Sequence, residues 1–212
     1  MSVRVKLCGL TRLEDALVAL ELGVDAFGFN FVEGSPRRIA ADRARDICAA
    51  LPPFVTRVGV FADELPAVME ATALLAGLNC LQLHGDESPE VCRTIHFPWY
   101  KAHRVGPDFR PESVQLYPCG ASLLDADVRG KRGGTGTTFD WSVARQVSAY
   151  GRVIVAGGLT PGNVGAAIAA ARPYAVDVNS GVESAPGRKD RRLLAEFMKG
   201  VRRATQASEG RA

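Results

Sequence analysis

The sequence predicts a single-domain α/β protein built as a (β/α)8 TIM barrel. Short runs rich in Val, Ile, Leu and Phe alternate with longer amphipathic segments, and eight such pairs follow one another along the 212 residues. Alternating strands and helices imply a parallel sheet with right-handed crossovers. Eight units in a chain of this length fit a compact barrel, at the small end of the range of about 200 to 400 residues that this fold spans.

The competing architecture is a doubly wound open sheet. Such a sheet usually has about six units and a G-x-G-x-x-G turn after its first strand, where this chain has CGLT at residues 8–11. No linker or low-complexity tract divides the chain. We therefore expect one barrel domain over residues 1–206, and a disordered C-terminal tail over residues 207–212.

The predicted strands are short runs rich in apolar residues. They comprise residues 3–8, 25–31, 54–61, 79–84, 98–103, 120–126, 152–158 and 174–181. The predicted helices have apolar residues three and four positions apart, which places those residues on one face. They comprise residues 11–22, 41–51, 64–76, 88–95, a short segment near 110–116, residues 140–150, and two helices that start near 160 and 189.

Three predicted helices also carry start signals. Thr11 and Glu14 have the T-x-x-E spacing of a capping box at the start of the first helix. Ser88 and Pro89 suit the N-cap and first positions of the fourth helix. Asp140 is the expected N-cap of the helix over 140–150.

Composition and charge exclude several classes of function. The net charge is +3, from 26 Lys and Arg against 23 Asp and Glu, with no long run of one sign, so we expect no nucleic-acid partner. No stretch approaches the roughly 18 apolar residues of a membrane span, and no secretory leader is recognisable. The five cysteines are widely spaced without a C-x-x-C pair, which disfavours disulfides and structural zinc and fits a reducing cytoplasm.

Active sites of barrels lie at the C-terminal ends of the strands, and the last two strands end in glycine-rich loops. AGGLTPGN (156–163) follows the seventh strand, and VDVNSGVE (176–183) closes the eighth. Glycines let backbone N–H groups approach an anion, and a helix N-terminus adds positive partial charge. The pair of loops predicts a phosphate site, although each loop by itself could be only a tight turn.

Asp125 ends the sixth strand within the apolar run ASLLD. An unpaired charge is costly to bury, and partial desolvation suits a carboxyl to general-acid catalysis. The alternative is a helix cap or an ion pair with Arg129 or Lys131. The long glycine-rich segment 126–138 that follows is either a lid over the substrate or a flexible connector.

Arg37 and Arg38 follow the second strand near the barrel mouth. An arginine fork can hold a carboxylate through two hydrogen bonds, although a solvated surface pair is the alternative.

Cys8 ends the first strand, where the period of two places it on one face with Lys6. The Lys6 ammonium and the helix that starts at Thr11 would both favour a thiolate. A buried thiol, a metal ligand, a nucleophile activated by His84 or His103, and a proton-abstracting base are the alternatives. Metal binding lacks the required ligand spacing, and nothing local pairs either histidine with Cys8.

Several motifs together resemble phosphoribosylanthranilate isomerases of tryptophan biosynthesis. They are KLCGLT (6–11), VGVF (58–61), LQLHG (81–85), LLDA (123–126) with GGTGTTFDW (133–141), AGGLTPGNV (156–164) and VDVNSGVESAPGRKD (176–190). They extend from the first strand to the last helix, so the resemblance covers essentially the whole chain.

The resemblance implies a (β/α)8 barrel without cofactor or metal, acting on a small phosphosugar as a monomer or homodimer. The reaction is the Amadori rearrangement of N-(5-phosphoribosyl)anthranilate to 1-(2-carboxyphenylamino)-1-deoxyribulose 5-phosphate. It implies that Cys8 is the general base, that Asp125 is the general acid, and that Arg37 and Asp177 contact the substrate. The implied phosphate-binding residues are Gly157, Gly158, Ser180 and Gly181.

Two other functions remain open on the residues alone. In a barrel aldolase, Lys101 at the end of the fifth strand would form a Schiff base with a keto substrate. A phosphate-ligand sensor would keep the barrel without turnover, but loss of Cys8 or Asp125 would be its expected sign, and both are present.

Overall fold

The computed structural model describes residues 2–126 and 138–209 and contains a closed barrel of eight parallel strands. Each strand pairs with the next along the chain, and β8 pairs with β1 to close the barrel. The prediction of a (β/α)8 barrel is confirmed. The barrel strands are β1 (Arg4–Leu7), β2 (Ala26–Asn30), β3 (Thr56–Phe61), β4 (Cys80–Leu83), β5 (Trp99–Val105), β6 (Ser122–Ala126), β7 (Val153–Val155) and β8 (Ala175–Val178).

Helices cover the outside of the barrel between the strands. The α-helices are α1 (Leu13–Glu21), α2 (Ala41–Ala49), α3 (Pro66–Ala76), α4 (Pro89–Arg93), α5 (Ser142–Val147), α6 (Val164–Ala171) and α7 (Arg191–Glu209). The fifth crossover is a 3₁₀ helix, Pro111–Leu116, where the sequence predicted a short helix. A second 3₁₀ helix, Ser180–Val182, and an antiparallel hairpin of β9 (Glu183–Ala185) and β10 (Arg188–Lys189) were not predicted.

The predicted capping box does not form. Helix α1 starts at Leu13, two residues later than predicted, with Arg12 at its N-cap and no side-chain cap. The Thr11 hydroxyl instead donates to the carbonyl of Gly187 at 2.6 Å, in the turn between β9 and β10. A tertiary hydrogen bond has therefore replaced the local one.

The other two predicted helix-start signals agree more closely with the structure. Ser88 caps α4, because its hydroxyl accepts from the Val91 N–H, and Pro89 is the first helical residue. Asp140 accepts from the N–H of Ser142 at 2.9 Å, although Trp141 occupies the N-cap position and α5 is shorter than predicted.

The barrel interior consists of an apolar layer beneath a polar one. The lower layer includes Leu123 of β6 and Ala175 of β8, which are packed together in one buried cluster. Because strand side chains alternate with a period of two, the next inward positions on these strands are Asp125 and Asp177. By the same alternation, Cys8, directly after β1, is the next inward position after Lys6. The polar layer therefore lies at the C-terminal ends of the strands.

The C-terminal helix α7 extends to Glu209, so residues 207–209 continue the helix past the predicted domain end at 206. Residues 210–212 lie outside the described part of the chain, and the division into domain and tail stays a prediction. Of the helices described, none is long and apolar enough to cross a membrane.

Candidate active site

A cavity of about 460 Å³ opens at the C-terminal ends of the barrel strands. Every site residue predicted from the sequence lines it, although these residues come from separate segments along the chain. They are Cys8, Arg37, Asp125, Gly157, Gly158, Asp177, Ser180 and Gly181. The cavity is also lined by His84, Gln82 and Asn179, which the sequence analysis did not assign to the site.

Cys8 follows β1 and is held by its backbone N–H, which donates to the carbonyl of Val178 at 2.9 Å. Its side chain is buried against Gly28, where an added Cβ would lie 3.1 Å from Cys8 Sγ. Burial raises the pKa of the Cys8 thiol, and the opposing attraction of Lys6 and Lys189 does not reverse this. Lys6 favours the thiolate, as expected, but burial has the larger effect on the pKa of Cys8.

Lys6 itself is held in an ion pair. Its ammonium lies 2.8 Å from Asp177 Oδ2, in a buried ion pair between directly opposed residues of β1 and β8. Burial acts to lower the pKa of Lys6, but the Asp177 carboxylate outweighs it and the pKa lies above its ordinary value. The Asp177 carboxylate also acts on Cys8, since its negative charge raises the pKa of the thiol. Asp177 Oδ1 is buried and has no hydrogen-bond partner among the described residues.

Asp125 is held by groups on both of its oxygens. Oδ1 accepts from the Ala126 N–H at 2.9 Å, and Oδ2 lies 3.3 Å from His84 Nε2. Asp125 is only 7% exposed. The alternative ion pairs with Arg129 and Lys131 involve residues outside the described part of the chain, as does nearly all of the predicted lid, 126–138.

Arg37 lines the cavity, whereas its neighbour Arg38 is exposed and does not. Its guanidinium is held by Glu183, with Nε 3.0 Å from Oε1 and Nη2 2.6 Å from Oε2. Lys189 Nζ contacts the same carboxylate at 2.8 Å. Burial acts to raise the pKa of Glu183, but Arg37 and Lys189 outweigh it and the pKa is lowered. Sequence reasoning missed Glu183 and Lys189 because no local pattern connects either to Arg37.

The two glycine-rich loops meet beside Asp125. Gly157 and Gly158 have φ values of 78° and 62°, in the left-handed region that favours glycine. Gly181 packs on the carbonyl of Leu159, so a side chain there would collide with the neighbouring loop. Within the described residues, the backbone N–H groups of Gly157, Gly158, Ser180 and Gly181 donate to no protein acceptor. Four free donors at one end of a cavity suit an anion.

Lys101 lies on the other face of its strand from the cavity. Its ammonium is buried and contacts Glu87 Oε2 at 3.1 Å and the carbonyl of Gly85 at 2.8 Å. A buried lysine that is ion-paired and hydrogen-bonded is a poor Schiff-base nucleophile. The geometry therefore disfavours the aldolase alternative. In the described part of the chain, neither His84 nor His103 bonds to Cys8, which also disfavours a thiol nucleophile.

The described residues include no group of three or more His, Cys, Asp or Glu side chains that could hold a metal ion. The expected lack of a metal and a cofactor stays a prediction.

A closed parallel barrel with a carboxyl and a thiol in the cavity at its mouth, beside a cluster of free backbone donors, is typical of (β/α)8 enzymes that act on phosphorylated substrates. The family model for N-(5'-phosphoribosyl)anthranilate isomerase matches residues 5–200. The chain belongs to this family.

Individual relatives agree with the family match. The chain is 49% identical over 197 residues to N-(5'-phosphoribosyl)anthranilate isomerase of Geobacter sulfurreducens, covering 93% of this chain and 97% of the relative. It is 50% identical over 210 residues to the Pseudomonas putida W619 protein of that name, covering 96% and 99%.

Solved structures share the fold. Phosphoribosyl anthranilate isomerase from Thermus thermophilus superposes with a TM-score of 0.87 at 43% identity, over 95% of this chain and 99% of that one. A complex of the same enzyme type with reduced 1-(o-carboxyphenylamino)-1-deoxyribulose 5-phosphate gives 0.85 at 42% identity, over 94% and 98%. The predicted family, fold and isomerase activity in tryptophan biosynthesis are confirmed.

Proposed function

We propose that this chain rearranges N-(5'-phosphoribosyl)anthranilate by general acid–base catalysis, with Asp125 as acid and Cys8 as base. The observation that carries the proposal is that Asp125 on β6 and Cys8 directly after β1 line one cavity with four free backbone donors. A base and an acid on different strands can flank a sugar whose phosphate is held at the side. The compound bound by a solved relative, reduced 1-(o-carboxyphenylamino)-1-deoxyribulose 5-phosphate, likewise combines a sugar chain with a phosphate at one end.

The first step is ring opening. Protonated Asp125 gives its proton to the ring oxygen while the C1–O bond breaks, and the nitrogen lone pair forms a C1=N iminium. The carboxylate left on Asp125 accepts a hydrogen bond from the Ala126 N–H and lies 3.3 Å from His84 Nε2. Donors positioned in advance stabilise the charge that develops there.

The second step is removal of the proton at C2. The iminium makes this proton acidic, and Cys8 thiolate takes it to leave an enol-amine, which tautomerises to the ketone. Because burial raises the pKa of Cys8, the thiolate needs added positive charge. Lys6 and Lys189 supply part of it, and the iminium of the substrate supplies the rest.

The remaining residues bind the two acidic ends of the substrate. The N–H groups of Gly157, Gly158, Ser180 and Gly181 would take the phosphate. Arg37 would take the anthranilate carboxylate, since the contacts with Glu183 occupy Nε and Nη2 and leave Nη1 available. The unpartnered Oδ1 of Asp177 would accept from a ribose hydroxyl.

Assembly and location form part of the same proposal. The protein acts in the cytoplasm, without a nucleic-acid partner, as a monomer or homodimer. The modest net charge supports the lack of a nucleic-acid partner, and the Thermotoga maritima relative is described as dimeric, with engineered monomers also solved. Light scattering on a size-exclusion column distinguishes monomer from dimer, and a larger assembly would contradict the proposal.

The activity is tested by following the loss of anthranilate-type fluorescence when purified protein receives phosphoribosylanthranilate made in situ. Wild type should turn over, and Cys8→Ala and Asp125→Asn should each lose about 10²- to 10⁴-fold in rate. Cys48→Ala is the matched control, because Cys48 is a buried thiol of α2 outside the cavity. A wild type without turnover would overturn the proposed activity, and near-normal turnover by Cys8→Ala would reassign the base.

A further inference from the structure

A line of close polar contacts between side chains runs from Asp125 into the barrel interior. His84 Nε2 lies 3.3 Å from Asp125 Oδ2, and His84 Nδ1 lies 2.7 Å from Gln82 Nε2. Gln82 Oε1 accepts from the hydroxyl of Tyr100 at 2.8 Å. We propose that Gln82 and Tyr100 are positioning residues that hold His84 as its neutral Nε2–H tautomer, so that His84 donates to Asp125. This inference rests on the proposed role of Asp125.

The direction of each hydrogen bond follows from what each group can do. The amide nitrogen of Gln82 can only donate, so His84 Nδ1 must accept and the ring proton is on Nε2. The amide oxygen of Gln82 can only accept, and Tyr100 donates to it. Burial raises the pKa of Tyr100 well above its ordinary value, so the hydroxyl keeps its proton.

Gln82 and Tyr100, the two residues beneath His84, are held in place by burial and by their hydrogen bonds. Gln82 and Tyr100 are directly opposed on β4 and β5, and both are buried. A side-chain amide buried without partners is costly, so each hydrogen bond of Gln82 helps to keep the other in place. Turning the amide over would set its oxygen against His84 Nδ1 and would favour the imidazolium. In the turned orientation the Tyr100 oxygen would accept from the amide nitrogen, and the hydroxyl proton would lose the acceptor that Gln82 Oε1 provides.

Neutral His84 matters because Asp125 has to carry a proton before it can give one away. An imidazolium 3.3 Å from the carboxyl would favour the ionised form and deplete the acid. A neutral imidazole still orients the carboxyl through its N–H, without adding a charge. The Nε2–H tautomer therefore lets His84 orient Asp125 Oδ2 without placing a positive charge beside it.

Other ionisable groups face His84 and Asp125 from the surrounding strands and stay in place when Gln82 is replaced. They are Lys6 on β1, Cys8 directly after β1, Asp177 on β8 and Tyr100 on β5. Gln82→Glu also introduces a carboxylate into this cavity, so a shifted pH profile is assigned to His84 only together with the NMR signature of its imidazolium.

The decisive variant is Gln82→Glu, whose carboxylate would accept from a proton on His84 Nδ1 and so favour the imidazolium. Asp125 is proposed to act while protonated, and an imidazolium beside it would favour the ionised form, so the alkaline limb of the pH–rate profile should move to lower pH. At a fixed pH above the limb, the rate falls roughly tenfold for each pH unit of displacement. Gln115→Glu is the matched control, because Gln115 is exposed on the 3₁₀ helix and should leave the profile unchanged.

Nitrogen NMR of the imidazoles supplies a readout that does not depend on activity. The chain has three histidines, so His84 is assigned by comparison with His84→Asn. Wild type at neutral pH should show His84 protonated at Nε2 alone. Gln82→Glu should show both nitrogens protonated, and Tyr100→Phe should show a mixture of forms.

The outcomes separate this inference from the proposed function. A wild-type His84 that is protonated at Nδ1 or at both nitrogens overturns the inference even if turnover is normal. An unchanged pH profile in a folded Gln82→Glu protein also overturns it. If Gln82→Glu does not fold, the wild-type and Tyr100→Phe spectra decide. Absence of turnover in wild type overturns the proposed function, while the NMR result still decides the tautomer.

Discussion

Gly157 lies so close to Asp125 that a Cβ on Gly157 would be 2.6 Å from Asp125 Oδ1. Its φ of 78° also lies in the left-handed region. Gly157 therefore borders the proposed phosphate site and also packs against the carboxyl group of the proposed acid, whose position it limits. The two functions share one backbone position.

Replacing Gly157 should lower both kcat and the free energy of unfolding. Gly157→Ala must displace Asp125 or the backbone of Ala126, so we expect at least a tenfold loss in kcat and a destabilisation of about 1–3 kcal/mol. Gly162→Ala is the control, because its added Cβ would meet only Thr160 Oγ1, at 3.7 Å. Steady-state kinetics and urea unfolding measure the two effects. Equal kcat in the two variants would contradict the expected contact.

The Lys6–Asp177 ion pair should be costly to break from one side. Lys6→Met leaves the buried Asp177 carboxylate unpaired, and we expect a loss of about 3–5 kcal/mol in the free energy of unfolding. The double variant Lys6→Met/Asp177→Leu should recover much of that stability but no activity, since Asp177 is proposed to bind substrate. Urea unfolding and the fluorescence assay check this.

The exposed pair of Arg4 and Asp25 provides the comparison for that measurement. Arg4 Nη1 lies 2.9 Å from Asp25 Oδ1, but the Arg4 side chain is 59% exposed. Solvent screening limits such pairs to about 0–1 kcal/mol, so Arg4→Met should change stability little. If Lys6→Met and Arg4→Met lose similar amounts of free energy of unfolding, burial of the ion pair does not determine its contribution to stability.

Cys8 should be a poor nucleophile at neutral pH in the free protein. Burial raises its pKa, so the thiolate fraction appears at higher pH than for an ordinary cysteine. Alkylation by iodoacetamide, followed by mass spectrometry of the Cys8 peptide, should be slow at pH 7 and speed up as pH rises. Cys8→Ala identifies the signal. Rapid alkylation at pH 7 would instead indicate a preformed thiolate.

The carboxylate of Glu183 should act through Arg37. Glu183→Gln weakens the fixed orientation of the guanidinium, and Arg37→Lys removes the fork itself, so both should raise KM by about tenfold or more. The smaller expected effect is on kcat, because neither residue moves a proton. Glu196→Gln, an exposed carboxylate of α7, serves as the control. A fall in kcat at unchanged KM would contradict a binding role.

Sequence reasoning reached the site because strand ends can be read along the chain. Cys8, Asp125 and Asp177 each follow an apolar run, and strands of a barrel deliver such ends to one face. The arginine at 37 and the glycines of the last two loops were found in the same way. All of them line the cavity, although their roles in catalysis stay a proposal.

Local signals misled where a tertiary partner was available. Thr11 has capping-box spacing, but the turn at Gly187 takes its hydroxyl. The two are separated by 176 residues, so no window of sequence contains the competition. The hairpin of β9 and β10 was missed because its strands are only three and two residues long, too short for a periodic signal.

The sequence by itself determined the barrel, through the alternation of apolar runs and amphipathic segments, and the positions of the groups at the strand ends. Only the tertiary structure decided which of these groups are partners. Lys6 meets Asp177, and His84 meets Asp125, because closure of the barrel sets the register and neighbours of strands far apart in the chain. Those partners, together with burial, set the charge on Cys8 and hold the carboxyl of Asp125. Periodicity is local, whereas desolvation and ion pairing depend on contacts across the closed sheet.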